Sequence, residues 1–293
     1  MSYTTHNNAL HPSFQESYTQ WQRAFRALGA LFDSPSGDGY LRQVTIGGKI
    51  LTFSAEVLPL NSAAAHFLAR DKLSTYQILG KNKITIPKGF PFFGDTKEET
   101  MTRIPTALSV HSLSTRLHHE FALLSAHAGA VILKPGRSSR GMDVYRCTTI
   151  DEALTVTQKV LRTCHYGIVQ EYIPDPEYRV IMLDDVPILV YQKIPATPES
   201  VTYNLSQGAA THIIKDPPAD ILNAARRAHH ALGLRISGID IRRPREGESI
   251  VLELNANPVF THFARLHDDI AEMVVKKIAR KIIEEMVMQK LRM

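Results

Sequence analysis

The sequence predicts an α+β protein, and three observations carry that prediction. Ile236 to Arg243 and Ser249 to Asn255 read as two antiparallel strands joined by a polar turn around Pro244 and Gly247. Segments of helical periodicity alternate along the chain with short apolar runs of strand length. Charged residues at 22% and hydrophobic residues at 44% are ordinary globular values, and 293 residues suffice for two or three subdomains with cores of their own.

From the N-terminus, Ser13-Phe14-Gln15-Glu16 has the form of a capping box, and Tyr18, Trp21, Phe25 and Leu28 recur at helical spacing to about Phe32. Asp33 to Gly39 breaks the chain, and Tyr40 to Phe53 reads as a hairpin turning at Gly47-Gly48. A helix is expected from Asn61 to Leu79, stopped by Gly80, then a strand over Lys83 to Pro91 and a short polar helix or loop over Thr96 to Thr106. Leu113 to His127 is helical. It carries His118 and His119 about 100° apart, which with His111 and His127 offers no metal-ligand spacing. Val131 to Pro135 is a short strand, Asp151 to Thr163 a helix, and His165 to Glu171 a strand. Tyr178 to Leu183 is a strand, Ile221 to Leu232 a helix ending at Gly233, and Asp268 to Leu291 a closing helix. There is no internal repeat.

The chemistry concentrates in the hairpin near the C-terminus. Alternation places Glu253, Asn255 and Asn257 on one face, with Leu252 and Leu254 on the other. Paired antiparallel, the strands bring Asp240, Glu253 and Asn255 together, and hard oxygen donors of that kind suit Mg²⁺ shared with phosphate. Upstream, Lys134 ends an apolar strand and opens the loop Gly136-Arg137-Ser138-Ser139-Arg140-Gly141. That loop offers backbone N–H groups, hydroxyls and guanidinium forks to a polyphosphate, without the GxxxxGK(S/T) spacing of a P-loop.

Taken in order, these motifs resemble the ATP-grasp superfamily, in particular its ligases of the ribosomal-S6-modification, lysine-biosynthesis and cyanophycin-synthetase-like type. The resemblance runs from about Ala65 to about His262. Ala69-Arg70-Asp71-Lys72 resembles the first ATP-lysine segment, Leu133-Lys134-Pro135 the second, and Val169 to Ile173 the strand that holds adenine. Tyr178-Arg179-Val180, Asn204 to Gly208, and Gly238-Ile239-Asp240 with Glu253 to Pro258 complete the set.

The resemblance implies an ATP-grasp fold of two α+β subdomains clamping ATP, with residues 1–60 as an N-terminal helix-hairpin extension, 61–170 as one subdomain and 171–293 as the other. It implies that Lys72, Lys134, Arg137, Ser138, Ser139 and Gly141 meet the phosphates, and that Gln170, Glu171, Tyr172 and Ile173 read adenine. Glu171 or Glu177 would meet the nucleoside, with Glu171 preferred. Arg179, Lys193, Asn204 and Arg242 would act on the transferring group, and Asp240, Glu253 and Asn255 would hold Mg²⁺, with Mn²⁺ as a substitute. The implied reaction is ATP-dependent ligation of a small carboxylic acid to an amine, an amino acid or peptide, through an acyl-phosphate. A small-molecule kinase and a non-catalytic nucleotide-binding protein are the alternatives. Ala196 to Tyr203 departs from the family pattern, and the first sixty residues are too short for the α/β domain that usually precedes such a core.

A net charge of +5 with dispersed Lys and Arg suits a nucleotide better than a nucleic-acid surface. Cys147 and Cys164 show no metal spacing and imply a reducing compartment. The N-terminus lacks a signal-peptide pattern and no run is long enough to span a bilayer. A cytoplasmic enzyme is expected, with no nucleic-acid or membrane partner and with a homodimer left open.

Overall fold

The computed structural model describes residues 12–94, 110–138, 142–197 and 200–288. The N-terminal unit is helix α1 (Pro12–Arg26) and the antiparallel sheet β1 (Leu31–Asp33), β2 (Leu41–Ile46) and β3 (Lys49–Ser54). α1 begins at Pro12, so Ser13 is inside the helix rather than at its cap, and Glu16 instead pairs with Arg265 at 2.8 Å. The helix stops at Arg26, short of the expected Phe32, because Gly29 takes φ +77° and turns the chain into β1. Gly47 and Gly48 close the expected hairpin with φ of 55° and 78°, the left-handed pair that a tight hairpin turn requires.

The helix expected from Asn61 to Leu79 is two helices, α2 (Ala63–Arg70) and α3 (Lys72–Lys81). Asp71 takes extended backbone between them, and its carboxylate accepts from the Ser74 N–H at 2.8 Å, ending one helix while capping the next. Gly80 lies within α3 rather than stopping it. The next strand, β4 (Gly89–Phe93), sits later than the expected Lys83 to Pro91, since the Ile84-Thr85-Ile86 run crosses as irregular chain whose Thr85 carbonyl accepts from the Val251 N–H. The segment expected as a polar helix or loop at Thr96 to Thr106 lies outside the described residues.

Helix α4 (Val110–Ser125) leads to β5 (Val131–Pro135), β6 (Tyr145–Cys147), α5 (Ile150–Thr163) and β7 (Tyr166–Glu171). These strands form one antiparallel sheet in the order β4-β7-β5-β6, with α4 and α5 packed on it through Leu113, Leu117, Ala153 and Val160. A second sheet, in the order β10-β9-β8-β11-β12, contains β8 (Glu177–Leu183), β9 (Val186–Ile194), β10 (Ala210–Ile213), β11 (Ile236–Arg242) and β12 (Ile250–Asn255). α6 (Ala219–Ala231) crosses between β10 and β11. The strands β6, β9 and β10 are not among the expected elements.

The second sheet positions the site because its two faces differ. One face packs Val180, Met182, Val190, Ile239 and Ile241 against α2, α3 and α6. The other is apolar at one end, where Ile181, Tyr191 and Ile236 meet α1, the short helix α7 (Thr261–Ala264) and α8 (Asp268–Val287). At its other end the same face turns charged, and the cleft lies there.

Candidate active site

The charged end is built by strand alternation. Register pairs Lys193 with Glu177, Arg179 with Asp240, and Asp240 with Glu253, so these side chains share one face. Opposite them stand Ile132 and Lys134 on β5 and Gln170 and Glu171 on β7, joined to β8 by the Tyr172 to Pro176 crossing. The cleft between the sheets is open to solvent and is lined from both of them.

Its cations are held before any ligand arrives. Lys72 Nζ donates to the Ser138 carbonyl at 2.7 Å and lies 3.8 Å from Glu253, while its backbone N–H donates to the Gly136 carbonyl. Burial lowers the Lys72 ammonium, Glu253 opposes that effect and Lys134 reinforces it. Lys134 is buried as well, and that burial pushes it down to about 8 despite Glu253 and Glu177 nearby. The loop start is fastened too. Arg137 donates to Asp71 at 3.0 Å, Tyr166 hydrogen-bonds the same carboxylate, and a Cβ on Gly136 would stand 1.8 Å from the Tyr166 ring. Ser139, Arg140 and Gly141, expected at the phosphates, lie outside the described residues.

On the second sheet every expected cation already has a carboxylate. Arg179 donates to Asp240 through Nε at 2.7 Å and through a terminal nitrogen at 2.5 Å. Lys193 reaches Glu177 at 2.6 Å and Asp240 at 2.8 Å. Arg242 pairs with Glu177 at 2.8 Å and lies over the Tyr203 ring at 3.9 Å. Burial alone would raise the Asp240 carboxyl, but Arg179 and Lys193 outweigh it and hold the group well below the usual carboxylate range. Burial would likewise lower Lys193 and Arg179, yet their carboxylate partners keep both raised. Arg243, outside the cleft, pairs with Asp220 at 2.9 Å.

The expected metal trio therefore stands unevenly. Asp240 and Glu253 line the cleft, while Asn255 pairs with Gly238 and is not part of the lining. Asn257, expected beside them, instead donates to the Ala55 carbonyl at 3.1 Å. Leu252 does not share the core face with Leu254. The ladder shifts between Asp240 and Ile241, leaving Leu252 as the extra residue of a bulge that joins Glu253 in the cleft wall, while Val251 and Leu254 pack together in the core. Among the described residues, no group of three His, Cys, Asp or Glu side chains converges as a metal site. The donors still suit Mg²⁺, because Asp240 and Glu253 are register partners with hard oxygens. Of the two, Glu253 has no cation within 3 Å among the described residues, whereas Asp240 carries Arg179 and Lys193.

Both nucleoside candidates are engaged as well. A Glu171 oxygen accepts from the Lys88 N–H at 2.8 Å, and Glu177 is buried between Lys193 and Arg242. Gln170, Tyr172, Ile173 and Asn204 line the cleft as expected. Ile132, Val144, Val201, Thr202, Tyr203 and Leu252 line it without being expected there, and Tyr76 lies beneath the lining, hydrogen-bonded to Lys134. Tyr76 lies one helical turn beyond Lys72, and Ile132 two strand positions before Lys134, so periodicity places both on the site's face. Val201 and Tyr203 lie on irregular chain, which carries no such signal.

Comparison with known proteins agrees with this geometry. The RimK-like ATP-grasp domain matches residues 69–278. A probable alpha-L-glutamate ligase of Pseudomonas paraeruginosa is 27% identical over 206 residues, covering 69% of this chain and 60% of its own length, so the chain spans about 60% of that curated relative. Among solved structures, D-alanine–D-alanine ligase from Bacillus anthracis superposes with a TM-score of 0.57 at 17% identity, over 78% of this chain and 70% of its own. A bifunctional glutathione synthetase from Pasteurella multocida does so with a TM-score of 0.53 at 14% identity, over 84% and 40%. The fold is that of the ATP-grasp ligases, and the chain belongs to the RimK-like ATP-grasp family.

Proposed function

We propose that the chain ligates a carboxylic acid to an amine at the expense of ATP, which leaves as ADP and phosphate. The observation that carries this reading is the convergence of Lys72, Lys134, Asp240 and Glu253 in one cleft between two sheets, beside an apolar slot of Ile132, Val144, Tyr172, Ile173 and Leu252. The slot suits a purine base, and the two lysines suit phosphates as compact point charges. Glu253 and Asp240 are the ligands we assign to Mg²⁺, with Asn255 as a third oxygen donor and Mn²⁺ as a substitute. When bound, the ion would neutralise phosphate oxygens.

In the first step, a substrate carboxylate oxygen attacks the γ-phosphorus and the bond to the ADP oxygen breaks. In the second, the amine nitrogen attacks the acyl carbon, phosphate leaves, and the nitrogen loses a proton. The chain supplies position and charge rather than a nucleophile. Lys72 and Lys134 hold the polyphosphate, and Asn204 contributes an amide at the cleft wall. Lys193 and Arg242 line the cleft and Arg179 holds Asp240 from outside the lining, all three as members of a neutralised cluster with Asp240 and Glu177 rather than as free cations for an anionic acid. Arg137 and Ser138 set the path of the loop over the phosphates, with Ser139 and Gly141 assigned there on sequence.

The acid is an amino acid or small carboxylate, and the names of the curated relatives make glutamate the first to test. No helix among the described residues is long and apolar enough to cross a membrane, and the free thiols Cys147 and Cys164 suit the cytoplasmic placement included in the proposal. The test supplies glutamate and other acids with ATP and hydroxylamine in place of the amine. A hydroxamate with stoichiometric ADP release is the expected result. A phosphorylated alcohol as product, with no hydroxamate from any acid, would replace the ligase with a kinase.

A further inference from the structure

At the base of the cleft, one buried hydroxyl meets groups from both sheets. Tyr76 Oη lies 3.0 Å from Lys134 Nζ on β5, 3.1 Å from the side-chain amide of Gln170 on β7, and 2.8 Å from the Leu252 carbonyl on β12. β5 and β7 belong to the four-stranded sheet and β12 to the five-stranded one, while Tyr76 itself comes from α3, whose first residue is Lys72. The bulge at Leu252 makes this meeting feasible, because the extra residue of a bulge falls out of the ladder and frees its carbonyl for another donor.

A tyrosine hydroxyl has one proton to give and two lone pairs to accept with. The Leu252 carbonyl, the nearer of the possible acceptors, takes the proton, and the Lys134 ammonium, which can only donate, takes one lone pair. Gln170 Oε1, at 3.1 Å, is the more distant acceptor for the same proton. No other hydrogen-bond acceptor for Lys134 is found among the described residues.

We infer that Tyr76 is a positioning residue for the nucleotide: its hydroxyl fixes the Lys134 ammonium in the cleft and ties that lysine to the opposite sheet through Leu252. The inference rests on the ATP reading of the cleft and deepens it. Tyr76 need not touch the nucleotide, since it acts on Lys134. Phenylalanine in its place keeps the ring packing and removes the tie, leaving a buried ammonium without its acceptor.

The test is a double-mutant cycle read by titration with a fluorescent ATP analogue and Mg²⁺, with no acid or amine present. Tyr76→Phe is expected to weaken affinity about tenfold to a hundredfold, the value of a hydrogen bond to a charged group. Lys134→Gln should weaken it at least as much, and the double variant should match Lys134→Gln within about twofold, because the tyrosine acts through the lysine. A purely structural tyrosine would lower the thermal midpoint and leave affinity unchanged, or would add its loss to that of Lys134→Gln. Either result overturns the inference. If Tyr76→Phe does not fold, the same cycle is run with Tyr76→His, which keeps a polar ring atom, and the same coupling is required. A wild-type chain that binds the analogue but forms no ligation product overturns the proposed reaction alone, whereas one that does not bind it overturns both.

Discussion

Asp240 and Glu253 are register partners in one hairpin, yet they answer to different forces. Asp240 is 5% exposed and compensates the buried Lys193 and the half-buried Arg179, so Asp240→Asn leaves both cations short of charge. Breaking a buried pair in this way costs about 3–5 kcal/mol, which chemical denaturation would read directly. Among the described residues Glu253 meets its nearest cation at 3.8 Å, and Glu253→Gln should leave stability nearly unchanged while cutting ATP turnover about 10²-fold or more through loss of a charged metal ligand. Equal stability losses in the two variants would contradict this division. A second residue-scale effect is visible in acid. His229 is fully buried, its Nδ1 lies 2.7 Å from the Ser237 hydroxyl, and its Nε2 has no hydrogen-bond partner among the described residues, so burial, reinforced by His230 and opposed by Asp184 and Asp185, pushes it down to about 4. The folded protein resists a proton that the unfolded chain accepts at about 6.5. The contribution is therefore present above pH about 6.5 and is lost as pH falls toward about 4, by about 3 kcal/mol. Unfolding free energies measured across that range should show the loss in the wild type, and His229→Gln should lack that part of it.

At the scale of elements, the turn between α2 and α3 controls the phosphate side. Asp71 ends one helix, caps the next and receives both Arg137 and Tyr166, so the start of the loop at 136–138 is anchored by the same residue that sets the direction of Lys72. Asp71→Ala removes the cap and the Arg137 partner together. It should cost about 1–2 kcal/mol of stability and speed tryptic cleavage after Arg137 several-fold without nucleotide, with Mg-ATP slowing that cleavage in both proteins. Unchanged cleavage on loss of Asp71 would show that the latch does not hold the loop. This turn was not legible in the sequence because Ala63 to Lys81 keeps helical composition throughout. Only the Asp71 side chain, competing for backbone donors, divides it. The hairpin register from Asp240 to Glu253 was legible, since alternation with a polar turn specifies it. The bulge at Leu252 was not, because no residue type there demands one. Strand β9 escaped for another reason: as a central strand carrying Pro187 near its start, it shows a near-continuous apolar run instead of alternation.

At the scale of the whole molecule, the sequence motifs located the cleft but not the core that flanks it. The first sixty residues read as a short extension, whereas Trp21, Phe25, Phe32, Val44, Phe53 and Leu60 share one core with Tyr191, Ile236 and Phe263 at the apolar end of the face that carries the charged cluster and with Ile278, Ile282 and Met286 of α8. Lys49 also donates to the Met286 and Val287 carbonyls at 3.0 and 2.8 Å, closing the C-terminal end of that helix. The unit thus covers apolar surface continuous with the sheet that carries Arg179, Lys193 and Asp240. Removing residues 1–60 would expose the inner face of α8, a patch of the kind that drives association. The remaining chain, which contains every residue assigned here to nucleotide or metal, should be recovered aggregated and without ATP affinity. Phe25→Ala tests the same dependence more gently. Phe25 is fully buried and stacks on Phe32 with ring centroids 5.1 Å apart, so its truncation should cost about 3–5 kcal/mol in urea unfolding while the surviving folded fraction binds Mg-ATP with unchanged affinity. A soluble, ATP-binding fragment beginning at residue 61 would show instead that the cleft stands without the N-terminal core.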